Sequence, residues 1–413
     1  MSKVIEVVDS LPGTGKSTAI FNMMKNSIQE KWIYVSPLLT EVEERVPKEV
    51  PELSFRTPEG KSKTDDILKL LLDGENIACT HSLFLRMDAR HWQAIKDQGY
   101  TLVLDEEVSV VEKFTGGKKG DVPLMVKRGD AEITGKGKVV LKCDIRDYEQ
   151  TSQSEVADAA HKGILYIPDN ANQADFLVTQ VPVELIVASK RTIVLTYMFD
   201  GSILQRFLEL HGIDWKPLRV KLYKSNEEVI RSLREKISFK STSAIDALSR
   251  LSLSATWYQK ATREQLQGVG AAWRSVARNI PDSRLITTLP KTNSQKGSKY
   301  VGRNKDRPIA NSWLWAGTRA TNDYAKKDVV VHLYNRYPSA NVSAYFRSYG
   351  LPVDEDQFAL SEMIQFILRS AARNGKQIDL YVASPRMKKL LQDWLGGYND
   401  NICLTEAVEG ILS

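Results

Sequence analysis

The sequence predicts an α/β protein of two domains, each containing a parallel β-sheet. Short apolar, β-branched stretches alternate with helical segments, which is the pattern of strand–helix–strand units. The first of these stretches passes into a helix through a turn rich in glycine and proline. The chain has 413 residues, more than a single hydrophobic core usually organises. Its composition, 42% hydrophobic and 26% charged, is that of a folded globular protein.

The glycine-rich turn has the features of a phosphate-binding loop. It follows the predicted strand Val4–Asp9 and matches the pattern G-x-x-x-x-G-K-[ST], with Ser10 in place of the first glycine. Glycines let the backbone point its N–H groups at a phosphate, and the helix N-terminus adds a positive dipole. Lys16 is expected to reach the β- and γ-phosphates, and Ser17 to hold Mg²⁺. The alternative is an ordinary turn with a solvated lysine. The predicted phosphate-binding residues are Gly13, Thr14, Gly15, Lys16, Ser17 and Thr18.

Three carboxylates follow a later strand directly. The apolar run Tyr100–Leu104 leads into Asp105, Glu106 and Glu107, after two intervening predicted strands that end near Pro37 and Thr80. In a nucleotide hydrolase, Asp105 completes the Mg²⁺ shell through water, and Glu106 takes the proton from the attacking water. The alternative is a charged turn at the surface end of a strand.

A third candidate group lies near the C-terminus. Residues 361–373 have the apolar periodicity of a helix, on which Gln365, Arg369 and Arg373 fall on one polar stripe. Two arginines four positions apart repel each other by roughly 0.2–0.5 kcal/mol on a helix. This cost is explained if both arginines contact an anion, with Gln365 bonded to the same anion or to the attacking water. The alternative is a solvated helix face.

Composition and charge suggest how the chain is divided. We predict a first domain at 1–225 with a β-rich insertion at 115–180, a polar linker at 226–245, and a second domain at 246–413. Residues 231–413 carry 27 Lys and Arg against 16 Asp and Glu, while the rest of the chain is slightly acidic. A basic second half favours a polyanionic partner.

Several functional classes are disfavoured. No apolar run approaches the roughly 18 residues that a membrane span needs, and the N-terminus begins with a strand rather than a signal peptide. Cys79, Cys143 and Cys403 are isolated, which indicates a reducing, cytoplasmic setting and argues against a zinc site. The sequence therefore predicts a cytoplasmic protein without a membrane partner.

The order of these motifs resembles that of superfamily two (DEAD-like) helicases and translocases, particularly compact phage-encoded members. Gln365, Arg369 and Arg373 correspond to motif VI of this family. Leu368 stands where that motif has glycine, and Arg373 comes one residue later than the second arginine of the motif. No Q motif is recognisable before the loop. The matching segments are Gly13–Thr18 (motif I), Tyr34–Thr40 (Ia), Thr80 and His81 (Ib), Asp105–Val108 (II), Leu195 and Thr196 (III), Gly317–Asp323 (V) and Gln365, Arg369 and Arg373 (VI).

The resemblance implies two RecA-like domains with ATP and Mg²⁺ in the cleft between them. Lys16, Ser17 and Asp105 then hold Mg-ATP, Glu106 activates water, and the two arginines act as fingers from the second domain. The implied function is an ATP-dependent helicase or translocase of phage replication that moves single-stranded or forked nucleic acid, DNA rather than RNA. A monomer in the host cytoplasm is expected. The implied nucleic-acid contacts are Thr40, Thr80, His81, Thr288 and Thr318.

Three other functions stay open on the sequence alone. A P-loop kinase for a nucleoside or another small molecule would explain the loop and the arginines, but not the length of the second half. A packaging motor would need a nuclease domain with clustered carboxylates, and the second half offers only Asp354–Asp356. A non-enzymatic nucleic-acid binder would not need Lys16 and Glu106.

Overall fold

The computed structural model of the protein describes residues 3–169, 176–295, 297, 299–301, 308–317 and 323–396. Its contacts divide the chain into two compact units, each of which combines three segments of sequence. The first unit consists of Met1–Asp9, Ser17–Val220 and Pro338–Asp354, and the second of Ser10–Lys16, Lys221–Tyr337 and Glu355–Ser413.

The strands and helices of the described residues are numbered in chain order. The strands are β1 Val4–Asp9, β2 Trp32–Ser36, β3 Ile77–Thr80, β4 Thr101–Asp105, β5 Val111–Lys113, β6 Ala131–Thr134, β7 Lys138–Leu141, β8 Leu165–Tyr166, β9 Val178–Gln180, β10 Arg191–Thr196, β11 Asp214–Pro217, β12 Ile237–Lys240, β13 Leu285–Thr288, β14 Val329–His332 and β15 Ile378–Val382. The α-helices are α1 Lys16–Lys25, α2 Val46–Glu49, α3 Lys63–Asp73, α4 His81–Phe84, α5 Ala89–Gln98, α6 Asp121–Arg128, α7 Ser154–His161, α8 Glu184–Val187, α9 Ile203–Leu210, α10 Asn226–Lys236, α11 Ser243–Ala247, α12 Ala255–Lys260, α13 Arg263–Ala277, α14 Lys291–Ser294, α15 Ala340–Ser348, α16 Glu355–Ile367 and α17 Pro385–Gly396.

The first unit is built on a six-stranded sheet in the order β11-β1-β10-β4-β2-β3, in which every pairing is parallel. Residues alternate between its two faces, so that Ile5 and Val7 enter one apolar cluster while Val8 enters the other. Strands β2 and β4 are buried throughout, as expected for parallel strands covered on both faces. Because the strands are parallel, their carboxyl ends share one edge of the sheet, where ligands bind in open α/β folds.

The insertion forms a five-stranded antiparallel sheet in the order β5-β9-β8-β7-β6, with its own apolar cluster. The predicted β-rich insertion is therefore confirmed. Within the insertion, Asp121–Arg128 forms helix α6 rather than a strand. Val122 and Met125 are buried three positions apart on that helix, and Gly129 ends it with a φ of +79°.

Helix α15 belongs to the first unit although its sequence lies between elements of the second. It packs on the insertion, where the Tyr345 hydroxyl donates to the carbonyl oxygen of Lys136 at 2.8 Å. Asn341 Nδ2 donates to the carbonyl oxygen of Leu177 at 3.1 Å, and the rings of Tyr166 and Tyr345 meet edge to face at 6.2 Å. A division of the chain into consecutive ranges does not describe this arrangement.

The second unit is built on a four-stranded parallel sheet in the order β12-β15-β14-β13. With this sheet, the predicted α/β class with two parallel sheets is confirmed. The range 226–245, predicted as a linker, contains α10 and β12 and so contributes a strand to the sheet. Next to this sheet, an isolated parallel bridge joins Thr287 to Trp313.

Helix α13 is the longest helix of the described chain, and it covers the sheet of the second unit. Thr262 caps its start in a capping box with Gln265, and Trp273 donates its indole N–H to Thr287 Oγ1 at 3.1 Å. Within the described ranges, no helix combines the length and the apolar character that crossing a membrane requires.

Two glycines of α13 provide a matched test of this packing. A Cβ on Gly270 would lie 2.4 Å from the carbonyl oxygen of Val301, whereas a Cβ on Gly268 meets nothing within 4 Å. We expect Gly268→Ala to raise the free energy of unfolding by about 0.5–1 kcal/mol, because alanine favours helix. Gly270→Ala is expected to lower it by about 1–3 kcal/mol through overpacking. Denaturant unfolding followed by tryptophan fluorescence measures both, and equal effects of the two substitutions would contradict the packing described.

Candidate functional site

The glycine loop leaves β1 and enters α1 at Lys16. Gly13 and Gly15 have φ values of +86° and +98°, a backbone region that residues other than glycine rarely adopt. The Lys16 ammonium donates to the carbonyl oxygens of Ser10 and Leu11, the latter at 3.1 Å, and so lies along the loop. The loop thus has the backbone conformation and the positive charge that a phosphate group needs.

Ser10, which replaces the usual first glycine, takes part in a buried hydrogen-bond network. Its hydroxyl donates to Asn226 Oδ1 at 2.8 Å and lies 3.1 Å from Thr14 Oγ1. The same Asn226 oxygen accepts the backbone N–H of Leu11 at 2.8 Å, and Thr14 Oγ1 donates to the Leu11 carbonyl oxygen at 2.8 Å. The serine hydroxyl therefore ties the loop to the start of α10. Sequence reasoning missed Asn226, which lies 216 positions away from Ser10.

Asp105 lies at the carboxyl end of β4 and is only 8% exposed. Its Oδ2 accepts hydrogen bonds from Ser17 Oγ, at 3.1 Å, and from the Tyr34 hydroxyl. Burial and the charge of Asp105 raise the pKa of Tyr34 well above its usual range, so the phenol stays a proton donor. His81 Nε2 donates to the backbone carbonyl oxygen of Asp105 at 2.9 Å. These contacts hold the carboxylate in one orientation.

The pair Ser17 and Asp105 suits a magnesium ion. Hydroxyl and carboxylate oxygens are hard ligands, and Mg²⁺ in nucleotide sites is held by one or two protein groups together with water and phosphate. Their separation of 3.1 Å brings two such oxygens together. Across the part of the chain that the structure describes, no group of three His, Cys, Asp or Glu side chains forms a metal site. Ser17 and Asp105 together offer the kind of oxygen donors that Mg²⁺ takes.

Glu106 has a strained backbone, with a φ of +67°. Left-handed backbone in a residue other than glycine costs about 1–3 kcal/mol and is concentrated at functional sites. The N–H of Glu106 donates to the carbonyl oxygen of Leu195 at 2.9 Å, which links the end of β4 to β10. The next residue is held as well, because Glu107 Oε1 accepts a hydrogen bond from Thr196 Oγ1 at 2.8 Å.

Asp9, the last residue of β1, supports the turn after β10. Its two carboxylate oxygens accept the backbone N–H groups of Met198, at 2.8 Å, and Phe199, at 3.0 Å. Met198 has a φ of +59°, so this carboxylate holds a second strained turn in place. The sequence analysis assigned no role to Asp9. An acidic residue at the end of a predicted strand was the sequence feature that could have indicated this role.

The structure corrects the predicted arrangement of the arginines. Helix α16 ends at Ile367, and Ser370 begins a separate 3₁₀ turn at Ala371–Asn374. Arg369 is 4% exposed and Arg373 is exposed, so the two do not share a helical stripe with Gln365. Gln365 Nε2 donates to Ser361 Oγ at 3.2 Å. The role of these three residues towards a phosphate stays a prediction.

The predicted nucleic-acid contacts lie in different environments. Thr40 is exposed before a π-helical turn at Glu41–Arg45, and Thr80 caps α4, where the half-buried His81 follows. Thr288 is fully buried at the end of β13, and its hydroxyl has no hydrogen-bond partner among the described residues. Thr318 lies outside the described residues. Their binding of nucleic acid stays a prediction.

The chain is similar to one protein family and to one curated protein. Residues 231–395 match the family described as the YonV C-terminal Rossmann-like domain. The "SPbeta prophage-derived uncharacterized protein YonV" of Bacillus subtilis (strain 168) is 29% identical over 95% of this chain and 98% of its own length.

Solved structures of helicases are similar to this chain at greater distance. An apo structure of XPD is 14% identical, with a TM-score of 0.46 and coverage of 96% of both chains. The DUF1998 helicase MrfA, bound to DNA and AMPPNP, is 10% identical with a TM-score of 0.35, over 95% of this chain and 48% of its own. Similarity at this level assigns no activity to the chain, so the function must be argued from the site.

The strain at Glu106 predicts a difference between two substitutions that both remove the carboxylate. Glu106→Gly relieves the left-handed backbone, whereas Glu106→Ala keeps it, so we expect the glycine variant to be more stable by about 1 kcal/mol. Thermal unfolding of the two variants side by side measures the difference. An alanine variant as stable as the glycine variant would show that Glu106 is not strained.

The network at Ser10 predicts that restoring the usual glycine destabilises the protein. Ser10→Gly and Ser10→Ala both remove a buried hydroxyl bonded to Asn226, and we expect each to cost about 1–3 kcal/mol. A double-mutant cycle with Asn226→Ala isolates the shared bond, and the two costs should not add. Full additivity in denaturant unfolding would mean that the two side chains act independently.

Proposed function

We propose that the protein is an ATP-dependent helicase or translocase that acts on nucleic acid, with DNA as the strand it moves. The observation that carries the proposal is the hydrogen bond from Ser17 Oγ to Asp105 Oδ2, at 3.1 Å. It joins the residue after the loop lysine to the acidic end of β4, the pairing used for Mg-nucleotides. The strained Glu106, one residue further on, adds a candidate base.

Each residue of this group has a separate task. Ser17 and Asp105 are the residues proposed to hold Mg²⁺, which would neutralise charge on the phosphates of the nucleotide. Tyr34 donates to Asp105 and keeps its carboxylate turned towards Ser17. Glu106 accepts the proton of the attacking water as general base.

Lys16 is proposed to exchange partners when a nucleotide binds. Its ammonium donates to two loop carbonyl oxygens, at Ser10 and Leu11. Phosphate oxygens are stronger acceptors because they are charged, so the side chain can move from these carbonyls to the nucleotide. A lysine held along the loop needs only a change of its own rotamer for this exchange.

The motor part of the proposal has two supports. The basic balance of residues 231–413 fits a polyanionic partner, and Thr196 of the motif III-like segment is bonded to Glu107 of motif II. Movement of the turn after β10 would therefore be coupled to the acidic strand end.

Arg369 and Arg373 are proposed to stabilise the charge of the transferred phosphoryl group. The prophage origin of the YonV relative fits a phage-encoded enzyme.

The proposal is tested by ATP hydrolysis with and without single-stranded DNA, single-stranded RNA and a forked duplex. We expect stimulation of several-fold by nucleic acid, with DNA the better activator, and loss of hydrolysis in Lys16→Ala because the phosphate contact is removed. Absence of stimulation by any strand would contradict a motor. Transfer of phosphate to a nucleoside instead of water would favour the kinase alternative.

The arginines are tested in the same assay. We expect Arg369→Ala or Arg373→Ala to reduce kcat by about 10³-fold, by comparison with arginine fingers in general, while ATP still binds. Nucleotide binding and thermal unfolding serve as controls, since Arg369 is buried and its loss could unfold the second unit. Unchanged turnover in both variants would exclude both residues as fingers.

A further inference from the structure

We propose that Tyr223 is the residue on which the base of the bound nucleotide stacks. This inference rests on the proposed function, since it assigns a base-binding surface to the same phosphate loop. It predicts a ligand class, nucleoside triphosphates with little discrimination among bases. The site is formed by the loop and by the segment from Tyr223 to Asn226, both within the second unit.

The ring of Tyr223 lies directly against the phosphate loop. A Cβ built on Gly15 would come within 2.5 Å of the tyrosine Cδ2 atom and 3.2 Å of its Cε2 atom. Gly15 therefore needs glycine for two reasons, its φ of +98° and the close approach of this ring. The ring therefore lies beside the residue that precedes Lys16, the lysine expected to contact the phosphates.

Backbone and side-chain hydrogen bonds fix this segment to the loop. The N–H of Tyr223 donates to the carbonyl oxygen of Thr14 at 2.9 Å. Three residues later, Asn226 Oδ1 accepts from Ser10 Oγ and from the Leu11 N–H, both at 2.8 Å. The segment is thus attached to the loop at both ends. A platform that is already fixed loses little conformational entropy when a ligand stacks on it.

The ring is nevertheless open to solvent. Tyr223 is 73% exposed, which is more than any other large hydrophobic side chain in the described part of the molecule. Within that part, no second aromatic ring and no cation is paired with it. An aromatic ring that is open to solvent, on a backbone attached to a phosphate loop, is suited to stack on a nucleobase. Every base has a π-face, so such stacking is tolerant of base identity.

The test compares ATP with inorganic tripolyphosphate, which has the phosphates but no base. Binding of each to the full chain is measured by calorimetry for the wild type, Tyr223→Ala, Tyr223→Phe and Lys16→Ala. We expect Tyr223→Ala to weaken ATP binding by about 5- to 150-fold, the range of base–aromatic stacking energies of ~1–3 kcal/mol. Tripolyphosphate binding should change less than about twofold, because the phosphate contacts remain.

The other arms separate the possible outcomes. Tyr223→Phe keeps the ring and should bind ATP as the wild type does, and GTP should bind the wild type within a few-fold of ATP. Equal weakening of ATP and tripolyphosphate in Tyr223→Ala would overturn the proposal, because the ring would then only support the loop. Tighter binding of both would also overturn it, because the ring would then cover the phosphate site.

The Lys16→Ala arm distinguishes the inference from the function on which it rests. If ATP binding depends on Lys16 but not on Tyr223, the base platform is wrong and the nucleotide site stands. If wild-type binding of both ligands is absent or independent of Lys16, the nucleotide site itself is wrong, and the inference falls with it.

Discussion

The hydroxyl groups of Ser17 and Tyr34 both donate to one carboxylate oxygen of Asp105 at the carboxyl edge of a parallel sheet. A buried carboxylate is costly unless hydrogen bonds satisfy it, and these two donors meet that need within the first unit. The same contact places a hydroxyl beside a carboxylate oxygen, and these are the two groups proposed to hold Mg²⁺. The interaction that stabilises the buried carboxylate therefore involves the same groups as the proposed cation site.

Strained turns surround this contact. Glu106 and Met198 both have left-handed backbones; Glu106 follows β4 directly, and Met198 is the second residue after β10. Hydrogen bonds hold them there: the carbonyl oxygen of Leu195 accepts from Glu106, and Asp9 accepts from Met198 and Phe199. Such strain persists only where the surroundings over-determine it. The bonds between β1, β4 and β10 thus hold both turns in place.

Residues distant in sequence complete the loop and the insertion. Asn226 and Tyr223 reach the loop from the start of the second half of the chain, and α15 returns to the first unit from between two elements of the second. The chain therefore passes more than once between the two units. Substitutions in residues 221–226 or in α15 are expected to affect elements encoded far from them.

The sequence by itself determined the features that depend on local patterns. The glycine loop, the acidic end of β4, the two parallel sheets and the β-rich insertion follow from turn residues, strand periodicity and chain length. Only the tertiary structure decided which partners these features have. Ser10 bonds to a residue 216 positions away. Helix α16 ends at Ile367, and the N–H of Ala371 donates to the carbonyl oxygen of Lys327, outside the helix. Periodicity describes the near neighbours of a residue along the chain, whereas these bonds depend on how distant segments pack in space.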